Sequence, residues 1–366
     1  MKTKIIKNLN SGLVVVLLCV SAGLGTVALF VQWENGEFDK TKLAGKIGES
    51  ILGGGRGDVG ATAVSDEMSG EPNINLAEGE GGVEMKIQEQ PQAVNEIDAK
   101  FSFATIGDTK SYKDKMGFNI GFVDVLKKSK AYGADFALFS GDILSASGKD
   151  DNENKERIKQ IKNTIEEHYN NYYIAFGEND VGCGDACASF WLETFFDIKT
   201  KSNEKKWLYH SFDYLNTHFV LLSPSYPEER SIDEKQLDWL ENDLEKSTKP
   251  NKIVVQHVPP VSFFKDSAKD CHDMSCNKEV QTKLLGIFKE NKVDLVISGS
   301  ENAFDHKIVD DIDFVLSGQV GNKTRHKNVI KDDIYTLIDV DGENIELDAL
   351  NTKGEIIRTI SIKKQK

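Results

Sequence analysis

Four short, β-prone apolar stretches of this sequence each run straight into an acid or a histidine. Phe101–Ile106 leads into Gly107-Asp108, and Asp135–Ser140 into Gly141-Asp142. Tyr172–Phe176 leads into Gly177-Glu178-Asn179-Asp180, and Lys252–Gln256 into His257-Val258-Pro259-Pro260. Between them lie stretches with helical apolar spacing: Phe118–Tyr132, Asn154–Tyr169 and Ser231–Ser247. The last opens on a Ser231…Glu234 capping box and lines up Leu237, Leu240 and Leu244. Strands that alternate with helices require crossover connections and a mainly parallel sheet. In such sheets ligands bind beyond the carboxyl ends of the strands, so Asp108, Asp142, Glu178 and His257 are expected to converge. Carboxylates with an imidazole are the donors that a hard or borderline divalent cation takes. One Gly-Asp after a strand is an ordinary turn; four acidic or imidazole strand ends in sequence make a site.

The rest of this region continues the pattern. Trp207–Ser223 reads as two strands turning at Leu215-Asn216, Lys278–Lys292 as a helix, and Asp294–Ile297 as a strand ending at Ser298-Gly299. The tail is all strand: Asp313–Leu316, Tyr335–Val340, Asn344–Leu350 and Ile356–Ile362, with Asp341-Gly342 as a turn. With 45 basic and 59 acidic residues the chain carries a net charge of −14, so nucleic acid is not an expected partner. No phosphate-binding loop, dinucleotide fingerprint or Ser-His-Asp order is present.

Two further segments precede this domain. Lys2, Lys4 and Lys7 are followed by an uncharged apolar run from Gly12 to Trp33, close to the ~20 residues that span a bilayer as a helix. Residues 1–33 are therefore expected to be a single transmembrane anchor with a cytoplasmic Lys-rich start, or a signal sequence cleaved after Val20-Ser21-Ala22. The C-terminal bulk is then exported. Residues 34–98 hold 12 glycines and 14 acids against 5 basic residues, the composition of a flexible acidic linker. Residues 99–366 form the folded domain.

At the strand-end residues the chain resembles the calcineurin-like metallophosphoesterases, over about Phe101 to Ile362. The family's Asp-x-His appears as Asp108-Thr109-Lys110, its Gly-Asp as Gly141-Asp142, and its Gly-Asn-His-Asp as Gly177-Glu178-Asn179-Asp180. Its His after a strand is His257, and its Gly-His-x-His appears as Gly299-Ser300-Glu301-Asn302. Gln236-Leu237-Asp238-Trp239-Leu240 and Ser317-Gly318-Gln319-Val320-Gly321 match the family's helix before the fourth motif and its turn after the fifth. The resemblance implies a four-layer α/β/β/α sandwich and two cations bridged by Asp142. The first would take Asp108, Asp142, Lys110 and Asn302; the second would take Asp142, Glu178, His257 and Ser300. Asn179 stands where the family's phosphate-contacting His stands, so Asn179 and Lys110 are the candidate catalytic residues.

Protonated lysine donates and cannot coordinate, which leaves two readings. In one, a single ion (Mn, Fe or Zn) rests on Asp142, Glu178 and His257 and activates water toward a phosphate ester. In the other, Lys110 neutralises Asp108 and Asp142, and the domain binds a phosphorylated small molecule or a surface partner without hydrolysis. Among the other residues, His168, His210, His218 and His326 read as packing residues, His306 as a possible rim residue, and Glu301 and Asp305 as solvated. Cys183, Cys187, Cys271 and Cys276 fit two disulfides in an exported domain, with three connectivities open and a four-Cys zinc site as the rival.

Overall fold

A computed structural model describes residues 2–8, 13–19, 27–32, 99–196, 208–226, 230–265, 271–324, 326–327 and 329–364. The chain divides into two units, Met1–Ser69 and Gly70–Lys366. In the first, β1 (Lys2–Asn8), β2 (Leu13–Cys19) and β3 (Val27–Gln32) pair antiparallel. The expected spanning helix is thus replaced by strands. Val14-Val15-Val16 is β-branched, and Gly23 and Gly25 interrupt the apolar run; both features work against a continuous helix. Among the described residues, no helix is long and apolar enough to cross a membrane. The expected linker, 34–98, lies outside the described residues.

The second unit holds two six-stranded sheets. One contains β4 (Lys100–Ile106), β5 (Phe136–Phe139), β6 (Tyr172–Ile174), β13 (Ile334–Asp341), β14 (Asn344–Asn351) and β15 (Ile356–Ile362). Its order is β15-β14-β13-β4-β5-β6, with β4, β5 and β6 parallel. The other contains β7 (His210–Tyr214), β8 (Thr217–Leu221), β9 (Asn251–Gln256), β10 (Leu295–Ser298), β11 (Phe304–Val309) and β12 (Ile312–Ser317). Its order is β11-β12-β10-β9-β8-β7, parallel through β8, β9, β10 and β12 and antiparallel at both edges. The sheets share an apolar layer in which Phe103, Phe136, Phe212, Phe219, Val255, Ile297 and Ile338 are fully or almost fully buried.

Helices cover the outer faces. α1 (Gly121–Ala131), α2 (Asp151–Glu166) and α3 (Asp185–Phe196) pack through Phe122, Leu126, Ile158, Ile161 and Trp191. α4 (Glu234–Lys246) and α5 (Lys278–Glu290) pack through Leu237, Leu240, Leu244, Leu284 and Phe288. The layers therefore run helices, sheet, sheet, helices. α4 is capped by Asp233, whose side chain accepts from Gln236 N, and not by the expected Ser231. α3 and β11 escaped the sequence reading: Cys187, Phe190, Trp191, Phe195 and Phe196 leave α3 no clear polar face, and β11 is a half-exposed edge strand rich in polar residues.

Candidate metal and phosphate site

The four strand-end loops meet. Asp108 N donates to Gly141 O (3.0 Å), and Lys110 N donates to Asp142 O (2.9 Å), so backbone bonds join the first two loops. Asp108 and Asp142 both adopt left-handed backbone, with φ of 50° and 53°. Non-glycine residues in that region are costly and collect at functional sites. The close approach demands glycine at two neighbours. A Cβ on Gly177 would lie 2.2 Å from Asp142 Oδ1, and one on Gly141, at φ 90°, would lie 2.6 Å from His257 Nδ1.

Lys110 Nζ sits between the two aspartates, 2.7 Å from Asp142 Oδ2 and 2.9 Å from Asp108 Oδ1. Burial alone would lower its pKa, but the two carboxylates outweigh burial and raise it, so the ammonium persists at neutral pH. Burial would raise the Asp142 pKa; His257 and Lys110 instead hold it well below the usual carboxylate range. His257 is fully buried, and its Nδ1 donates to Ser140 O at 2.9 Å. That bond turns Nε2 into the cleft, 3.3 Å from both Asp142 Oδ2 and Glu178 Oε2. Burial lowers the imidazole pKa, but Asp142 and Glu178 more than reverse this and push it up to about 10.

Asn179, in the position expected to contact phosphate, is turned inward. Its backbone N and Nδ2 donate to Asp142 Oδ1 (2.8 Å) and Oδ2 (2.6 Å), and its Oδ1 accepts from the Tyr112 hydroxyl. Asp180 braces the loop from behind, accepting from the backbone of Asp142 (2.7 Å), Gly177 (2.8 Å) and Leu144 (2.9 Å). Burial, with Asp142 nearby, raises its pKa to about 7. Trp191 Nε1 on α3 donates to Asp180 O at 2.7 Å.

The expected ligands gather unequally. Asp108, Asp142 and His257 have donor atoms within 4.8 Å of one another, and Glu178 is not in that group. Glu178 Oε2 lies between His257 Nε2 (3.3 Å) and Ser225 Oγ (3.5 Å), and its Oε1 is 3.8 Å from Arg230 Nη2. Ser300 and Asn302 take left-handed φ of 71° and 48°; Ser300 Oγ donates to His272 O at 3.4 Å, and Asn302 Oδ1 is buried without a hydrogen-bond partner. The donor set does not fit two cations, because the Lys110 ammonium engages both carboxylates of the first. It fits at most one: Asp108 Oδ2 is buried without a hydrogen-bond partner, and His257 Nε2 faces the carboxylates of Asp142 and Glu178.

Three residues near the site escaped the sequence reading: Tyr112, Arg230 and Asn322. Asn322 Nδ2 donates to the backbone oxygens of Asp108 and, at 3.1 Å, Lys110. Only its place just after the Ser317–Gly321 turn hinted at this. Glu301 is buried, not solvated, and accepts from His326 Nε2 at 2.8 Å. His306 bonds Asp313 (2.6 Å) on the neighbouring strand, which accounts for it without a place on the rim. Cys183–Cys187 and Cys271–Cys276 are disulfides, as expected, which rules out the four-Cys zinc site.

Comparison with known proteins agrees with this fold. The fold is similar to purple acid phosphatase PPD1 from yellow lupin (Lupinus luteus), at 14% identity and TM-score 0.53, covering 73% of this chain and 54% of that one. It is similar to GAP50, the anchor in the inner membrane complex of Plasmodium, at 19% identity and TM-score 0.52, covering 73% and 90%. It is also similar to a dimetal phosphatase from Danio rerio, at 12% identity and TM-score 0.52, covering 72% and 99%. This chain thus spans about half the length of the lupin enzyme. No curated protein sequence matches it. The family model for calcineurin-like phosphoesterases matches residues 101–299, more than half of the chain and all four strand-end loops, so the chain belongs to the calcineurin-like phosphoesterase family.

Proposed function

We propose that this domain is a non-hydrolytic member of its family that binds a phosphorylated small molecule or a surface partner at the cleft. One observation carries the reading: the Lys110 ammonium lies 2.7 and 2.9 Å from the two aspartates that would hold the first cation. Two-metal phosphoryl displacement uses a pair of cations to clamp the attacking and leaving oxygens. A monocation in one of those places keeps part of the charge and none of the coordination. The inward turn of Asn179 onto Asp142 removes a phosphate contact as well. The fold is shared with GAP50, the anchor in the inner membrane complex of Plasmodium, so an anchoring role occurs on this scaffold.

A second reading, hydrolysis with one cation on Asp142, Glu178 and His257, is favoured by the convergence of His257 Nε2 with both carboxylates at 3.3 Å. There the ion would supply acidified water, while Asp142, Glu178 and His257 hold it and Ser140 O fixes the imidazole. The two readings separate on the purified full chain after loading with Mn, Fe or Zn. Non-hydrolytic binding predicts at most one cation per chain and no turnover of aryl phosphomonoesters or diesters. Turnover that disappears in His257→Ala sinks it. Restored activity in a combined Lys110→His, Ser300→His and Asn302→His variant would show that only ligands have changed.

For location, we propose that the N-terminal run holds the domain at a membrane, on the exported side. The Lys-then-apolar order of residues 2–33 and the two disulfides, which persist in oxidising compartments, support this. Recovery of the protein in the soluble fraction after alkaline extraction would oppose membrane integration.

A further inference from the structure

Glu178 is the ligand that the fold offers and the geometry withholds. It lies in the loop that follows β6, yet it stands outside the Asp108–Asp142–His257 group. Its Oε1 lies 3.8 Å from Arg230 Nη2, and its Oε2 accepts from Ser225 Oγ at 3.5 Å. Arg230 is anchored on its other side, where Nη1 donates to Cys271 O at 2.8 Å. Cys271 is fixed in turn by its disulfide to Cys276. The Nε of Arg230 is buried without a hydrogen-bond partner, while the side chain as a whole is partly exposed and is held by the loop and by Glu178.

We propose that Arg230 is a specificity-determining residue that keeps the remaining donors from closing on a divalent cation. This rests on the reading that the cleft works without the two-cation centre. Two effects combine. The guanidinium pairs with Glu178 Oε1 while Oε2 faces His257 Nε2 at 3.3 Å, so a cation must compete with Arg230 for that carboxylate. Its fixed positive charge also repels any dication placed between Glu178 and His257, and in a partly buried cleft that repulsion is weakly screened. The disulfide loop is the lever that holds the charge in place. Lys110 and Arg230 would then be two side-chain cations standing near the places of two metal ions.

The experiment is calorimetric titration of the full chain with Mn²⁺ at neutral pH, in wild type, Arg230→Met and Arg230→Lys, with thermal unfolding recorded for each. The expected result is Mn²⁺ binding at least ~10-fold tighter in Arg230→Met, with a Mn²⁺-dependent rise in Tm that wild type lacks. Arg230→Lys keeps a charge at the site and is expected to bind like wild type. The double variant Cys271→Ser/Cys276→Ser frees the lever without touching the guanidinium and is expected to move in the same direction as Arg230→Met. Equal Mn²⁺ affinity in wild type and Arg230→Met, with both folded, overturns the proposal. Should Arg230→Met be unfolded, equal affinity in the disulfide variant does the same. Phosphoesterase turnover by the wild type would instead sink the non-hydrolytic reading, whatever Arg230 does.

Discussion

Lysine between two buried aspartates has few physical solutions, and Lys110 adopts the strongest: a bridge to both. Breaking such a pair leaves uncompensated buried charge, which costs about 3–5 kcal/mol. Lys110→Met is therefore expected to lower unfolding free energy by about that amount in a denaturant titration. Addition of Mn²⁺ is expected to return part of the loss, since Asp108 and Asp142 are then free to coordinate. A Lys110→Met protein as stable as wild type would show that the bridge is not what holds the loops. The placing of Lys110, Asp142 and His257 was legible in the sequence because each lies within four residues of a strand end, and a strand end fixes direction. Arg230 and Asn322 were not, because they reach the cleft from loops whose path depends on tertiary packing, and nothing local distinguishes them from other polar loop residues. Asn179 was legible in position and not in orientation: its side chain faces Asp142 because the buried carboxylate beside it accepts from both its backbone N–H and its Nδ2.

The β7–β8 hairpin carries two buried histidines with opposite tendencies. His218 Nδ1 and Nε2 bond Asp213 (2.7 Å) and Asp243 (3.0 Å). Burial lowers the His218 pKa, but the carboxylates more than compensate and raise it from 6.5 to about 9. Its contribution is complete below pH 6.5 and fades as pH rises through about 9, because the unfolded ring has already lost its proton. His210 has no such partner in its shift; burial pushes its pKa down to about 4. Its contribution is complete above pH 6.5 and fades as pH falls toward 4, because the unfolded chain takes up a proton that the buried ring refuses. Stability measured by chemical denaturation is thus expected to fall on both sides of neutrality. The alkaline slope should be smaller in His218→Gln, and an unchanged slope would assign it to other groups. At this scale the sequence was legible wherever periodicity was clean, as in α4, and illegible in α3, where aromatic residues surround the helix and hide its face.

The unit that carries the site depends on the layer between its two six-stranded sheets. Phe136 stacks on Phe103 (5.2 Å between ring centroids) and meets Tyr214 (4.8 Å) and Phe219 (5.6 Å), the latter two from the opposite sheet. Phe136→Ala removes the ring that joins them and is expected to cost about 3–5 kcal/mol. Near- and far-ultraviolet circular dichroism should report one coincident transition, because neither sheet can bury that layer alone. Two separated transitions would show independent sheets. The double-sheet architecture was legible from the strand–helix alternation and the all-strand tail together; the paired strands of residues 2–32 were not, since a run of valines satisfies a strand and an apolar helix equally well. The backbone bonds between the Asp108 and Asp142 loops belong to this scale too, since they join adjacent parallel strands at their ends. No side chain takes part in them. The two loops therefore stay joined whatever side chain stands at these positions, so the identity of a ligand and the path of its loop are separable features of the cradle.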